Sequence, residues 1–383
     1  MLYQQIVCIL LAVILFNLLL NLRTIRKPRS DVELPEPAPL ISILLPARNE
    51  EANIGVCLES LRQQDYPNFE ILVLDDSSTD GTADIVARIA SEDNRVRLLR
   101  GQPLPPGWAG KTFACHQLAQ EARGSWLLFT DADTVHASSM LRRVLGVALA
   151  TRAALISGFP YQRTSSIWQK TAMPILFYFM LLCWMPFWWL QRSRCTMPSV
   201  AIGQFLFFSA EEYRSIGGHE AVKSRIVEDV WLGIEVSRHK YRQLTLDLSS
   251  LVSCQMYREF GTMWDGITRW FYTVASLSVV TLVVMIAVVL LLFLAPFVWL
   301  VYGLLLAQPA FAWEVLVMLQ VAIVFLARFL AGRRFSQPKT SIILHPIGVA
   351  FLLLVSFYAS YQYLTGAGVK WKGRVYDSGS QIT

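Results

Sequence analysis

Trp126-Leu127-Leu128-Phe129-Thr130-Asp131-Ala132-Asp133 is the stretch that decides the fold. Its first five residues are apolar or β-prone and read as a buried strand. Two carboxylates stand one residue apart at its C-terminal end. Two further runs share this plan: Ile41-Ser42-Ile43-Leu44-Leu45 ends in Pro46-Ala47-Arg48-Asn49-Glu50-Glu51, and Ile71-Leu72-Val73-Leu74 ends in Asp75-Asp76-Ser77-Ser78. In an open α/β sheet, ligands bind at the carboxyl ends of the strands. Carboxylates so placed suit Mg²⁺ or Mn²⁺ beside a phosphate, because these ions take oxygen ligands and commonly combine one or two carboxylates with substrate phosphates. A lone Asp-x-Asp would say little, since surface turns are rich in Asp; here it follows two other polar strand ends.

Outward from these strands the pattern alternates. Glu50 to Gln63 is helix-like, with Ile54, Leu58 and Leu61 on one face. A second helix follows Gly81-Thr82 with Asp80 as its cap, Val96 to Leu99 is a short strand, and Lys111 to Glu121 is another helix. Strands alternating with helices predict an α/β domain with a mainly parallel sheet. Ala201 to Ser209 reads as one more strand, and Glu228-Asp229 opens a helix.

Of the 383 residues 54% are hydrophobic and only 16% charged, below the roughly 25% of soluble domains. The apolar excess lies in blocks. Leu2 to Leu22 carries no charge and is about long enough to span a bilayer, which takes roughly 20 residues. No basic segment precedes it and no small-residue cleavage site follows, which disfavours a signal peptide. Arg23, Arg26, Lys27 and Arg29 come next and place the following chain in the cytoplasm by the positive-inside rule. Thr273 to Leu306, broken by Pro296, Val315 to Leu330 and Ile342 to Tyr363 are further candidates. One N-terminal and three C-terminal spans would put Lys370, Lys372 and Arg374 outside, against the same rule. Either one block is re-entrant or interfacial, or the Pro296 block folds differently.

These features divide the chain into an N-terminal transmembrane helix (1–22), a basic, Pro-containing linker (23–39), an α/β domain (40–271), C-terminal transmembrane helices (272–364) and a tail (365–383), in an integral, multi-pass membrane protein. Residues 168–190, dense in Phe and Trp with Pro174 and Pro186 inside, read as an interfacial helix, a transmembrane span being the alternative. Phe177, Phe179, Trp184, Phe187, Trp188 and Trp189 lie between Asp131-Ala132-Asp133 and Glu228-Asp229 and suggest a route by which an apolar molecule reaches the domain. The net charge of +6 is attraction to anionic head groups rather than to nucleic acid, for which no basic stripe or aromatic platform is present. The six cysteines lack C-x-x-C spacing and read as reduced thiols.

The ordered set Pro46-Ala47-Arg48-Asn49-Glu50-Glu51, Asp75 to Thr82, Asp131-Ala132-Asp133 and Glu228-Asp229 resembles family 2 glycosyltransferases of the GT-A fold, over roughly residues 40 to 275. The resemblance implies an inverting transfer of a sugar from a nucleotide-sugar, a UDP- or GDP-sugar. Leu104-Pro105-Pro106-Gly107-Trp108-Ala109-Gly110-Lys111 and Trp371-Lys372-Gly373-Arg374-Val375-Tyr376 are similar to membrane-bound enzymes that glycosylate carotenoids and to hopanoid-associated and ceramide glucosyltransferases. It further implies roles. Asp76 accepts from the base or ribose, and Pro46, Arg48 and Glu50 line the donor site. Asp133 ligates the metal, with Asp131 on ribose or metal and His136 a further candidate. Lys111, opening a helix, meets phosphate or is a solvated surface residue. Asp229 is the general base, with Glu228 tuning it or orienting the acceptor. Arg269 and Trp270 match the Q/R-x-x-R-W element, whose first position is here Gly266; that departure speaks against a processive polymerase. A carotenoid alcohol is the first choice of acceptor, and a ceramide, hopanoid or glycerolipid the second. An inactive, transferase-like membrane scaffold is a different class of reading, opposed by the intact carboxylates.

Overall fold

The computed structural model describes residues 1–29, 33–191, 201–225, 227–305, 311–371 and 374–376. Two compact units emerge. The sheet unit comprises Ile25–Arg163 and Phe187–Met256; the helical unit comprises Met1–Thr24, Thr164–Pro186 and, among the described residues, 257–376. The division differs from the domain limits expected from sequence: residues 164–186 and 257–271 pack with the helices.

In the sheet unit, strands β1 (Ile41–Ala47), β2 (Phe69–Asp75), β3 (Val96–Arg100), β4 (Trp126–Thr130), β5 (Thr134–His136), β6 (Leu155–Phe159), β7 (Tyr161–Gln162), β8 (Phe205–Ser209), β9 (Gln243–Asp247) and β10 (Val252–Cys254) form two sheets. The larger has the order β3-β2-β1-β4-β8-β6-β9. Only β8 runs against its neighbours, β4 and β6. β5, β10 and β7 make the smaller one. Burial on both faces explains why β1, β2 and β4 read as near-continuous apolar runs. On one face, Ile43, Leu45, Ile71, Val73 and Leu128 pack under Ile54, Leu58, Val86, Leu141 and Val144 from helices 51–62, 82–92 and 140–151. On the other, Leu44, Leu72 and Phe129 pack with Leu118, Leu232 and Val236. Helices Gly110–Glu121 and Glu228–Arg238 therefore share that second face, which brings their first turns to the same end of the sheet. The expected strand 201–209 begins only at Phe205, after a turn at Gly203-Gln204.

The helical unit holds helices long and apolar enough to cross a membrane at Leu2–Thr24, Val279–Leu305, Phe311–Arg334 and His345–Thr365. The break expected at Pro296 is absent. A π-helical turn, Leu290–Leu294, precedes it and the helix continues from Ala295 to Leu305; such a turn accommodates the missing amide and the ring. The chain bends instead at Ser278, whose side chain caps the next helix by accepting from the Thr281 amide at 3.1 Å. Residues 167–184 are not one surface helix. A π-helical stretch, Ile175–Met180, follows Pro174, and Met173, Ile175, Tyr178, Phe179 and Leu182 are buried. The Asn side chains of the first span serve this segment. Asn21 Nδ2 donates to the carbonyls of Leu182 (2.8 Å) and Met185 (2.6 Å), and Asn17 Nδ2 to that of Cys183 (3.0 Å). Gln4 pairs with Gln320. Of the aromatics proposed as an acceptor route, Phe179 and Phe187 are fully buried, while Trp184 and Trp189 are exposed.

Two glycines give opposite predictions. At Gly158 in β6 a Cβ would lie 2.4 Å from the Leu246 carbonyl oxygen. Gly158→Ala should cost about 1–3 kcal/mol as overpacking and lower the melting temperature of the full chain in detergent by several degrees. At Gly55, inside helix 51–62, a Cβ would meet only Ile85 at an ordinary 3.6 Å, so Gly55→Ala should stabilise the fold by up to about 1 kcal/mol of helix propensity and raise the melting temperature.

Candidate active site

The carboxyl ends of β1 and β2 are stitched together. The Asp76 amide donates to the Ala47 carbonyl (2.8 Å), and Arg48 Nη1 donates to the Asp76 carbonyl (2.7 Å) with the Asp76 carboxylate 3.7 Å away. Asn49 and Ser77, one residue beyond, both take left-handed conformations, φ 52° and 57°, a strain that recurs at functional sites. They are held by Asn49 N–H to Ser78 Oγ (3.0 Å) and Thr79 N–H to Asn49 Oδ1 (2.8 Å). Asp75 is buried and turned to structure, accepting from Ser78 N–H and Arg100. Asp80 accepts from the Thr82 and Glu51 amides and so serves the starts of two helices at once; Gly81, not Asp80, is the formal cap position. Pro46, in β1 opposite Leu74, and Glu50, which accepts from Asn53 (2.8 Å), complete this rim.

The loop after β4 carries the paired aspartates. Asp131 Oδ1 is 2.7 Å from Lys111 Nζ. Asp133 is different: its Oδ1 is sealed from solvent with no hydrogen-bond partner, and the Cys254 thiol lies against the carboxyl group. Burial, with the charges of Asp131 and Glu50 next, pushes the Asp133 carboxyl up to about 7. Its backbone carbonyl accepts from Gln255 N–H at 3.1 Å, where β10 pairs with β5. His136 faces elsewhere: Nε2 lies 2.8 Å from Thr134 Oγ1 and 3.3 Å from Thr130 Oγ1, and burial lowers the ring to about 3. Among the described residues no three His, Cys, Asp or Glu side chains gather around one point suited to a metal. An orphaned, buried carboxylate oxygen at Asp133 nevertheless fits a divalent ion that completes its shell with diphosphate and water.

Glu228 and Asp229 begin helix 228–238. Glu228 is buried and its Oε1 is 3.0 Å from Lys111 Nζ. Asp229 is clamped by backbone: Gly203 N–H donates to Oδ2 at 2.6 Å and Val230 N–H to Oδ1 at 2.8 Å. Burial first and the Glu228 charge second push the Asp229 carboxyl up to about 7, opposed by Lys111 and the two amides. The Lys111 ammonium is held well above its usual range; burial opposes this, and Asp131 and Glu228 outweigh it.

Lys111 thus lies neither on an open surface nor free at a helix end. It sits in the first turn of helix 110–121, behind a turn at Gly107 (φ 83°) and Trp108, which packs on Phe113 (5.2 Å) and His116 (4.8 Å). The Gly203 clamp was missed by sequence reasoning; the one signal, a Gly in an apolar run, marks a close backbone approach. Arg269 and Trp270 lie on helix Phe260–Leu277 of the helical unit. There Gly266 has a reason: a Cβ would fall 2.2 Å from Tyr257 Oη. Trp371 and Arg374-Val375-Tyr376 belong to a small antiparallel hairpin; Lys372 and Gly373 lie outside the described residues.

Residues 42–208 match the sequence profile of the family described as glycosyl transferase family 2. The chain is similar to 4,4'-diaponeurosporenoate glycosyltransferases of Staphylococcus aureus, 27% identical over 342 residues in strain USA300 and 29% over 348 in strain MRSA252, with 88% of each chain covered. Among solved structures it is similar to the mannosyltransferase PcManGT from Pyrobaculum calidifontis, in complex with GDP-Man and Mn²⁺. That likeness covers 94% of this chain and 99% of the other, at 16% identity and a TM-score of 0.52, and it speaks to the fold. With strand ends, paired aspartates and family profile in agreement, the chain is a glycosyltransferase with a family 2 domain of the GT-A fold.

Proposed function

We propose that the chain transfers one sugar, with inversion, from a UDP- or GDP-sugar to a hydroxyl of a membrane-embedded lipid, a carotenoid alcohol in the first instance. The observation that carries this is the division of labour among the carboxylates. Asp133 keeps an unpartnered oxygen, while Asp229 is fixed by two amides. The names of the Staphylococcus aureus relatives, similar over most of both chains, favour a carotenoid skeleton, although the compound they name carries a carboxylate rather than a hydroxyl. The membrane-length helices of the same chain favour an acceptor met in the bilayer. The basic residues after the first span favour a cytoplasmic site.

Asp76, backed by Arg48, accepts hydrogen bonds from the nucleoside. A divalent ion at Asp133, Mg²⁺ or Mn²⁺, with Asp131 beside it, would offset the diphosphate charge and stabilise it as leaving group. Asp229 takes the proton of the acceptor hydroxyl as that oxygen bonds to the anomeric carbon and the bond to the diphosphate breaks.

Asp133→Ala should abolish divalent-dependent turnover of UDP-glucose or GDP-mannose without unfolding the chain; full turnover in the variant, or in excess EDTA, sinks the metal assignment. Asp229→Asn keeps the shape but cannot take the proton, and turnover should drop by roughly 10²–10⁴ with donor affinity nearly unchanged. A collapse of donor affinity instead would make Asp229 a donor-site residue. A base must be ionised to act, and its pKa stands near 7. At saturating metal, kcat/KM should therefore rise with pH through a midpoint near that value and flatten above it. A flat profile across neutrality contradicts the assignment.

A further inference from the structure

Lys111 is the feature that the reaction scheme leaves without a task. Its ammonium touches carboxylates from two elements, Asp131 after β4 at 2.7 Å and Glu228 at the start of helix 228–238 at 3.0 Å. Two of its three N–H donors are thus spoken for within the protein. Glu228 is almost wholly buried, and a buried carboxylate stripped of its partner is strongly unfavourable. It is also the immediate chain neighbour of Asp229. Gly203 links the two groups in space: a Cβ there would lie 3.0 Å from Asp229 Oδ2 and 3.4 Å from Lys111 Nζ, so both atoms border one small volume.

We propose that Lys111 is a positioning residue, not a phosphate ligand: it braces Asp131 against Glu228 and so holds the adjoining Asp229 as the proton acceptor. The proposal rests on the reading of Asp229 as base. Without the ammonium, the Glu228 charge would fall undiluted on Asp229, and the loop bearing Asp131 would lose its tie to the helix bearing the base. The charged groups facing Asp229 are Glu228 on its own helix and Lys111 on the facing helix; the Gly203 and Val230 amides complete its surroundings.

The test uses the full chain in nanodiscs, with UDP-glucose and GDP-mannose hydrolysis followed against pH at saturating Mn²⁺, and UDP and GDP titrations for donor-site affinity. Lys111→Met should cut kcat by at least about tenfold and move the acid limb of the profile up by about one pH unit, as loss of a nearby opposite charge does. Nucleotide affinity should change less than about threefold. Lys111→Arg should restore the limb. Glu228→Gln should move it the other way, and in that background Lys111→Met should move it by much less than it does alone, the sign of direct coupling. A tenfold loss of UDP or GDP affinity with the limb unmoved would make Lys111 a phosphate ligand and overturn the proposal. So would single shifts that merely add in the double variant. Should Lys111→Met fail to fold, an unmoved limb in Glu228→Gln overturns it equally. Failure of the underlying reading looks different: Asp229→Asn would then keep its turnover and its limb, whatever the Lys111 variants do.

Discussion

A single ammonium, Lys111, stands between carboxylates that belong to different elements, and the shape of the site depends on that ion pair. The sheet brings the ends of β1, β2 and β4 into line, and the shared face of helices 110–121 and 228–238 brings Lys111 to Glu228. Left alone, Asp131, Asp133, Glu228 and Asp229 would repel one another in surroundings poor in water. Pairing neutralises part of that charge and leaves two carboxyls, Asp133 and Asp229, whose pKa values burial raises to about 7. Perturbed groups of this kind gather where chemistry is done. The two are told apart by their partners: one keeps a bare oxygen, and the other is gripped by amides.

Much of this was legible in the chain. β1, β2 and β4 announce themselves because parallel strands buried on both faces need unbroken apolar runs. The carboxylates are visible because they stand directly at strand ends. β6 and β9 were not seen. Leu155–Phe159 holds Ser157 and Gly158, and Gln243–Asp247 alternates polar and apolar residues in a stretch too short to tell from a loop. The partners of Lys111 could not be read either, since they lie 20 and 117 positions along the chain and meet only through tertiary packing. The same holds for the Asp229 clamp at Gly203.

The helical unit shows where hydropathy alone misleads. Asn17 and Asn21 look like flaws in an apolar span, yet they satisfy carbonyls where the helical segment 167–184 ends. In surroundings without water those carbonyls would otherwise go unpaired at a cost of several kcal/mol, of the order expected for each such group. The density of Phe and Trp that suggested an interfacial helix is divided between a buried interior and an exposed rim.

The π turn at Leu290–Leu294 carries a consequence for how this span meets its surroundings. One residue more per turn than an α-helix means that the two halves of Val279–Leu305 are out of phase by a single position, a rotation of about 100°. Phe297 reaches Phe325 (5.3 Å) and His345 (5.8 Å), and Trp299 reaches Trp313 (6.3 Å), because of that offset. Leu282, Ile286, Val289, Phe293 and Pro296 are buried at an unbroken three- and four-residue spacing, so it is the buried face itself that swings around the helix axis between Leu290 and Ala295. Deleting one residue between them would leave composition and hydropathy almost untouched while turning the whole second half of the span to face the wrong neighbours.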